Sequence, residues 1–230
     1  MRERCVAVRV AVGTGLLAVL LLAAPGAQAR AQVVEDWASQ PVGKTGIPDG
    51  WKAQQWGSPK YDFRIVADGN AKVLHMKSDN EGSTIAKELK VDLRQFPILQ
   101  WRWKAVTLPK GGDSRKKDTD DQGAQVYVSI VRFPAAMRSQ TIGYVWDTTA
   151  PVGTIAKSEK TGTVTYVIMR SGPAELGKWI TETRNVLEDY KKIYGQEPTE
   201  PVGAVSVAID SNDTKSSAES FMGEILFKKP

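Results

Sequence analysis

The stretch Ile98–Val106, ILQWRWKAV, decides the fold. Leu99, Trp101, Trp103 and Ala105 fall on one side of an extended chain, and Gln100, Arg102 and Lys104 fall on the other. That period of two is the pattern of a half-buried strand, because successive side chains leave a pleated backbone in opposite directions. Working outward, the same reading predicts strands over 72–78 (KVLHMKS), 83–89, 124–131 (AQVYVSIV), 141–147 (TIGYVWD), 163–170 (TVTYVIMR), 203–210 (GAVSVAID) and 223–227 (GEILF). Turn residues separate them throughout. Short strands recurring with turns predict an all-β fold, an antiparallel β-sandwich of jelly-roll type.

One segment departs from the alternation. Asn185 and Glu188 have the spacing of a capping box, Val186, Tyr190, Ile193 and Tyr194 make a helical stripe, and Gly195 stands at the stop. A single peripheral α-helix is expected over about 185–194.

The N-terminus reads as a secretory signal peptide over 1–29. Arg2, Arg4 and Arg9 precede an apolar run ending at Ala24, then Pro25, Gly26 and the small-residue pattern Ala27-Gln28-Ala29. Cleavage is expected after Ala29 or, through Ala29-Arg30-Ala31, after Ala31. The solid apolar stretch 16–24 is shorter than the roughly 20 residues of a membrane span. The expectation is a periplasmic or secreted protein with no transmembrane segment once the peptide is gone, and one β-sandwich domain over 33–230. Cleavage removes the one cysteine, Cys5, and a net +2 of the chain's +5, leaving +3. So weak a charge gives no reason to expect a nucleic-acid partner.

What remains excludes several chemistries. With one histidine, His75, and no cysteine, thiol nucleophiles and multi-histidine zinc sites are absent. No G-x-S-x-G elbow, phosphate loop or dinucleotide fingerprint occurs. Glycoside hydrolysis needs only two carboxylates, for which Asp120, Asp121, Asp147, Glu182 and Asp210 are available. Asp120 and Asp121, just ahead of a strand, are also candidate calcium ligands. The mixed-charge run 113–117 reads as a solvated loop.

Alternation also suggests a binding face. It sets Arg102 opposite Trp101 and Trp103, and groups Gln125 with Tyr127, Tyr144 with Trp146, and Tyr166 with Arg170. If these faces coincide, Arg102, Gln125, Tyr127, Tyr144, Trp146 and Arg170 form one polar-aromatic surface suited to sugars, with rings for the apolar pyranose face and donors for hydroxyls. The opposing arrangement buries Tyr144 and Trp146 beneath the helix and makes Arg102 and Arg170 structural ion-pair partners of Asp121 or Asp147.

Several long phrases carry a resemblance: WRWKAVTLPKGGD at 101–113, DDQGAQVYVSI at 120–130, YVWDTTAPVGT at 144–154, MRSGPAELGKWITETRNVLEDY at 169–190 and VAIDSNDT at 207–214. Together they resemble the exported bacterial family called domain of unknown function 3047. That family name supplies no activity. VVEDW at 33–37, PDGW at 48–51 and MGEILF at 222–227 resemble the two ends of galactose-binding-like jelly rolls. This second resemblance implies paired first and last strands and a structural calcium, with Glu35, Asp36 and Glu224 as the matching carboxylates. The expected function is an exported envelope module that binds a carbohydrate or another polar ligand, its partner a glycan or other envelope component. The alternatives are a glycan hydrolase on the same scaffold and an envelope interaction protein without a small ligand.

Overall fold

The computed structural model describes residues 30–230, so the segment expected to direct export lies outside the described residues. In chain order the strands are β1 (Ala31–Glu35), β2 (Lys52–Ala53), β3 (Asp62–Asp68), β4 (Ala71–Asp79), β5 (Gly82–Val91), β6 (Ile98–Thr107), β7 (Ala124–Ile130), β8 (Gln140–Asp147), β9 (Ile155–Lys157), β10 (Val164–Ser171), β11 (Ile180–Asn185), β12 (Val202–Asp210) and β13 (Ser217–Lys228). The helices are α1 (Ala135–Arg138), in the β7–β8 connection, and α2 (Val186–Tyr194).

Two sheets form a β-sandwich. The first has the order β11-β6-β13-β4-β3, with β1 added on β13; the second runs β2-β5-β12-β7-β8-β10-β9. The first and last strands pair antiparallel, Ala31 opposite Lys228 and Val33 opposite Leu226. One pairing departs from the antiparallel expectation: β8 and β10 run parallel. The connection between them is long enough to cross over, and it carries β9, which pairs antiparallel with β10.

Aromatic side chains fill the space between the sheets. Trp101 of β6 meets Tyr144 of β8 at 5.2 Å, and Trp103 meets Trp146 at 5.9 Å. All four are buried, so the alternating stretch 98–106 turns its apolar side inward as expected. A second stack, Trp37 on Trp51 at 5.5 Å, closes the end beside β1. Helix α2 starts as its sequence implies: the Asn185 side chain accepts from the Glu188 N–H, and Gly195 ends it at φ 72° in the left-handed region that glycine adopts freely. It is anchored to the core edge by Asp189, which accepts from the Tyr144 hydroxyl at 2.8 Å and from Arg184 Nε at 2.9 Å.

Candidate functional site

The outer face of the second sheet holds a cleft of about 490 Å³. Its floor follows from strand register. Tyr127 on β7 and Tyr166 on β10 both lie directly opposite Gly143 on β8. A Cβ at Gly143 would come within 2.7 Å of Tyr127 Cε1 and 3.1 Å of Tyr166 Cδ1. Only glycine lets the two rings lie over the strand between them. On the other side of Tyr127, the cross-strand neighbours are the small Ser206 and Ala86, which leave room above the sheet.

Hydrogen bonds fix the polar groups around that floor. The Tyr127 hydroxyl donates to Gln125 Oε1 at 2.5 Å. Asp120 receives three donors: Gln122 Nε2 at 2.7 Å, the Tyr166 hydroxyl at 3.2 Å and the Ser158 hydroxyl at 3.3 Å. Burial pushes the Asp120 carboxyl up to about 6 despite those donors. Asp210, also on the cleft, is pushed up to about 9, first by burial and then by the neighbouring charge of Asp121, with which it shares a hydrogen bond. Asp121 is fully buried and accepts from the backbone N–H groups of Thr214 (2.6 Å) and Asp213 (3.2 Å). Burial raises both tyrosine hydroxyls, so they remain protonated donors at neutral pH. Lys160 is bridged to Asp213; burial works against its charge, but Asp213, Asp210 and Asp120 together raise its pKa.

The rim carries Trp56, 65% exposed. Its loop is tied down by Gln54, whose Oε1 accepts from Thr84 N at 2.8 Å while Nε2 donates to Trp56 O at 2.8 Å. An exposed indole on a tethered loop presents a broad apolar plate beside a polar floor.

The single face expected from alternation is divided among four places. Gln125 and Tyr127 are in the cleft. Tyr144 and Trp146 point into the core, because β8 packs that side against Trp101 and Trp103. Arg102 lies on the outer face of the other sheet, within 3.5 Å of Asp68 and 4.3 Å above Trp179. Arg170 is turned away from Tyr166 by a bulge between Ile168 and Arg170, which places it opposite Trp146. There it ties the two sheets together, with Nε 2.7 Å from Glu182 of β11 and Nη1 2.8 Å from Glu175. Arg102 and Arg170 are therefore ion-paired, with Asp68 and Glu182 rather than with Asp121 or Asp147.

The expected metal ligands are likewise apart. Glu35 is buried and accepts from Trp37 N (2.9 Å), Trp51 Nε1 (3.0 Å) and Lys87 Nζ (2.9 Å), so an ammonium already sits where a cation would. Glu224 is exposed on β13, and Asp120 and Asp121 belong to the cleft network. Among the described residues no group of three or more His, Cys, Asp or Glu side chains is placed to hold a metal ion. Asp147 is consumed by the backbone N–H groups of Ser114, Thr149 and Ala150. The run 113–117 is not fully solvated: Asp113 is buried, and the Arg115 guanidinium holds its carboxyl well below the usual range.

Sequence reading missed Gln54, Trp56, Lys160 and the role of Gly143. Tyr166 was visible on its strand, and only the later bulge separated it from Arg170. A glycine inside a β-branched, aromatic strand was the available signal for Gly143, since it marks close approach of other groups.

Fold and cleft define a β-sandwich with an open, polar-aromatic groove on one sheet. The chain belongs to the family described as protein of unknown function (DUF3047), which matches residues 49–226. No curated protein matches it. Solved structures to which it is similar include the family 11 carbohydrate-binding module of the cellulosomal cellulase Lic26A-Cel5E of Clostridium thermocellum, with TM-score 0.44 and 9% identity over 87% of this chain and 95% of that one. The xyloglucanase domain of NopAA from Sinorhizobium fredii gives TM-score 0.42 and 12% identity over 84% and 100%. The CBM22-1 xylan-binding domain of Paenibacillus barcinonensis Xyn10C gives 0.41 and 12% over 88% and 97%.

Proposed function

We propose that this chain is an exported envelope binding module that holds a carbohydrate in the cleft on its second sheet. The observation that carries the reading is Trp56, an exposed indole tethered by Gln54 beside a floor of fixed hydroxyl, amide and carboxyl groups. An indole plate stacks on the C–H face of a pyranose, while Tyr127, Gln125, Asp120 and Asp210 offer donors and acceptors to its hydroxyls. The floor's one cation, Lys160, is engaged by Asp213, so the cleft suits an uncharged sugar.

A glycan-array screen of the purified protein tests this. Retention of neutral oligosaccharides, lost in Trp56→Ala and Tyr127→Ala, is expected. Absence of any bound glycan, or binding indifferent to both substitutions, overturns the reading. Export is tested by N-terminal sequencing of the protein recovered from the cell envelope fraction, which should start after Ala29 or Ala31.

One observation favours a second reading. Asp120 and Asp210 both face the cleft with raised pKa values, the condition of a general acid. Release of reducing ends from a bound glycan, abolished in both Asp120→Asn and Asp210→Asn, would make the module a hydrolase. Binding without release keeps it a binding module.

A further inference from the structure

The opposite face of the sandwich carries a second organised surface. Five residues form a transverse row across the outer side of the first sheet. Phe221 on β13 lies opposite both Lys104 on β6 and His75 on β4. His75 in turn lies opposite Arg64 on β3. Trp179, just ahead of β11, continues the row beyond Lys104. Five positions at strand spacing extend about 19 Å.

Rings and cations are interleaved in the row, and Trp179, Lys104, Phe221 and His75 hold one another in place. Lys104 Nζ sits 4.2 Å from the Phe221 ring centre and 5.0 Å from that of Trp179. The Arg102 guanidinium covers Trp179 at 4.3 Å. His75 stacks on Phe221 at 4.2 Å with planes 4° apart, and its Nε2 meets Glu219 at 2.7 Å. Gly223 keeps the surface low beside Trp179, since a Cβ there would come within 3.0 Å of Arg102 Cβ.

Around the row, Arg64, Lys77, Arg102 and Lys104 share the face with the carboxylates Asp62, Asp68 and Glu219. Among the described residues neither Lys104 nor Arg64 forms an ion pair, although both are sited by the sheet. Lys104, unpaired and held over two rings, and Arg64, unpaired at the end of the row, are poised for an anion.

We infer that this row is a second binding site, for an extended acidic polysaccharide whose repeating sugars carry carboxylates. Sugar carboxylates would pair with Lys104 and Arg64, while Phe221, covered by His75 and Lys104, holds the row in place. The geometry favours this partner over two others. None of the large apolar side chains exposed on this protein belongs to the row, so nothing here would enter a lipid surface. Glu219 and Asp68, set among the cations, accept from free sugar hydroxyls, which a DNA backbone does not offer.

Native gel electrophoresis through polygalacturonate, a polymer of one uronic acid, tests the inference, with its fully methyl-esterified form as the uncharged control. The wild type should be retarded by the acid and not by the ester. Lys104→Ala with Arg64→Ala should weaken the apparent affinity at least tenfold, Lys104→Arg with Arg64→Lys should keep most of it, and Trp56→Ala in the other cleft should leave it unchanged. Equal retardation by both polymers, or an unaffected alanine double variant, overturns the assignment. So does tighter binding to single-stranded DNA or to phosphatidylglycerol vesicles than to polygalacturonate. Because the two sites are on opposite sheets, loss of neutral-glycan binding and loss of polygalacturonate binding are separate results.

Discussion

Replacing Asp210 by asparagine should stabilise the protein, and increasingly so as pH rises. Asp210 is held near a pKa of about 9 by burial and by Asp121, against 3.8 in an unconstrained chain. The folded state therefore binds more protons than the unfolded state between about pH 4 and pH 9. Stability must fall as pH climbs through that window, because the raised folded pKa contributes fully only below the unfolded value. At pH 7 roughly three pH units separate the solution from the unfolded value, at about 1.4 kcal/mol each, which sets an upper limit of about 4 kcal/mol. Asp210 is only half-buried, and solvent screening reduces this to about 1–2 kcal/mol. Asparagine carries no charge to desolvate, and its amide can donate to Asp121 where the carboxyl proton did. Urea unfolding followed by tryptophan fluorescence at pH 4.5, 6 and 7.5 measures the effect. The variant should match wild type at pH 4.5 and exceed it by about 1–2 kcal/mol at pH 7.5, or about 2–8 °C in melting temperature. A difference that does not change with pH, or a variant less stable at pH 7.5, would refute the reasoning.

Other perturbations separate the site from the scaffold. Trp56→Ala should lower neutral-glycan affinity at least tenfold in calorimetry while leaving the melting temperature unchanged, since the indole is exposed. Trp146→Ala removes a buried ring packed on Trp103 and should cost about 3–5 kcal/mol in denaturant unfolding. Glycan affinity should fall several-fold from pH 7 to pH 5, as Asp120, near 6, takes up a proton and no longer orients the Tyr166 hydroxyl; Asp120→Asn should give a flat profile at the low-pH level. Lys87→Ala strands the buried Glu35 carboxylate and should destabilise by about 3 kcal/mol; recovery of melting temperature on adding calcium would show that this carboxylate accepts a metal ion once the ammonium is gone.

The strands with clean alternation were legible: 98–106, 124–131 and 203–210 fall within a residue or two of β6, β7 and β12. So was α2, because its cap and its terminal glycine are local chemistry. β3 escaped notice although Phe63 and Ile65 alternate with Asp62 and Arg64, whereas β11 and the first half of β13 lack that signature. β11 reads ITETRN, with Glu182 on its inward side neutralised by Arg170 of the other sheet, a tertiary contact that no local pattern announces. The first half of β13 reads SAESFM, in which Ser217 and Glu219 face outward while the polar Ser220 is buried inward, and bulges break the period. The site was half legible. Gln125 and Tyr127 follow from alternation on one strand, but Arg170 was lost to a bulge and Trp56 lies in a short loop with no period at all.

Aromatic content by itself is a poor guide to the site in a fold of this kind. A two-sheet sandwich must fill a gap of about 10 Å between its layers, and large rings do that efficiently. Trp101, Trp103, Tyr144 and Trp146 meet this demand, and their alternation with polar residues is what any half-buried strand requires. A functional ring needs a different mark, some arrangement that packing alone would not demand. The cleft provides one in Gly143, a small residue that lets two tyrosines fold over a bare strand, and another in Gln54, which spends both ends of its amide on holding an exposed indole. The row on the opposite sheet provides a third in Lys104, an unpaired ammonium held over two rings. Each arrangement limits freedom or leaves charge unsatisfied without adding to the core, and each therefore points outward to a ligand.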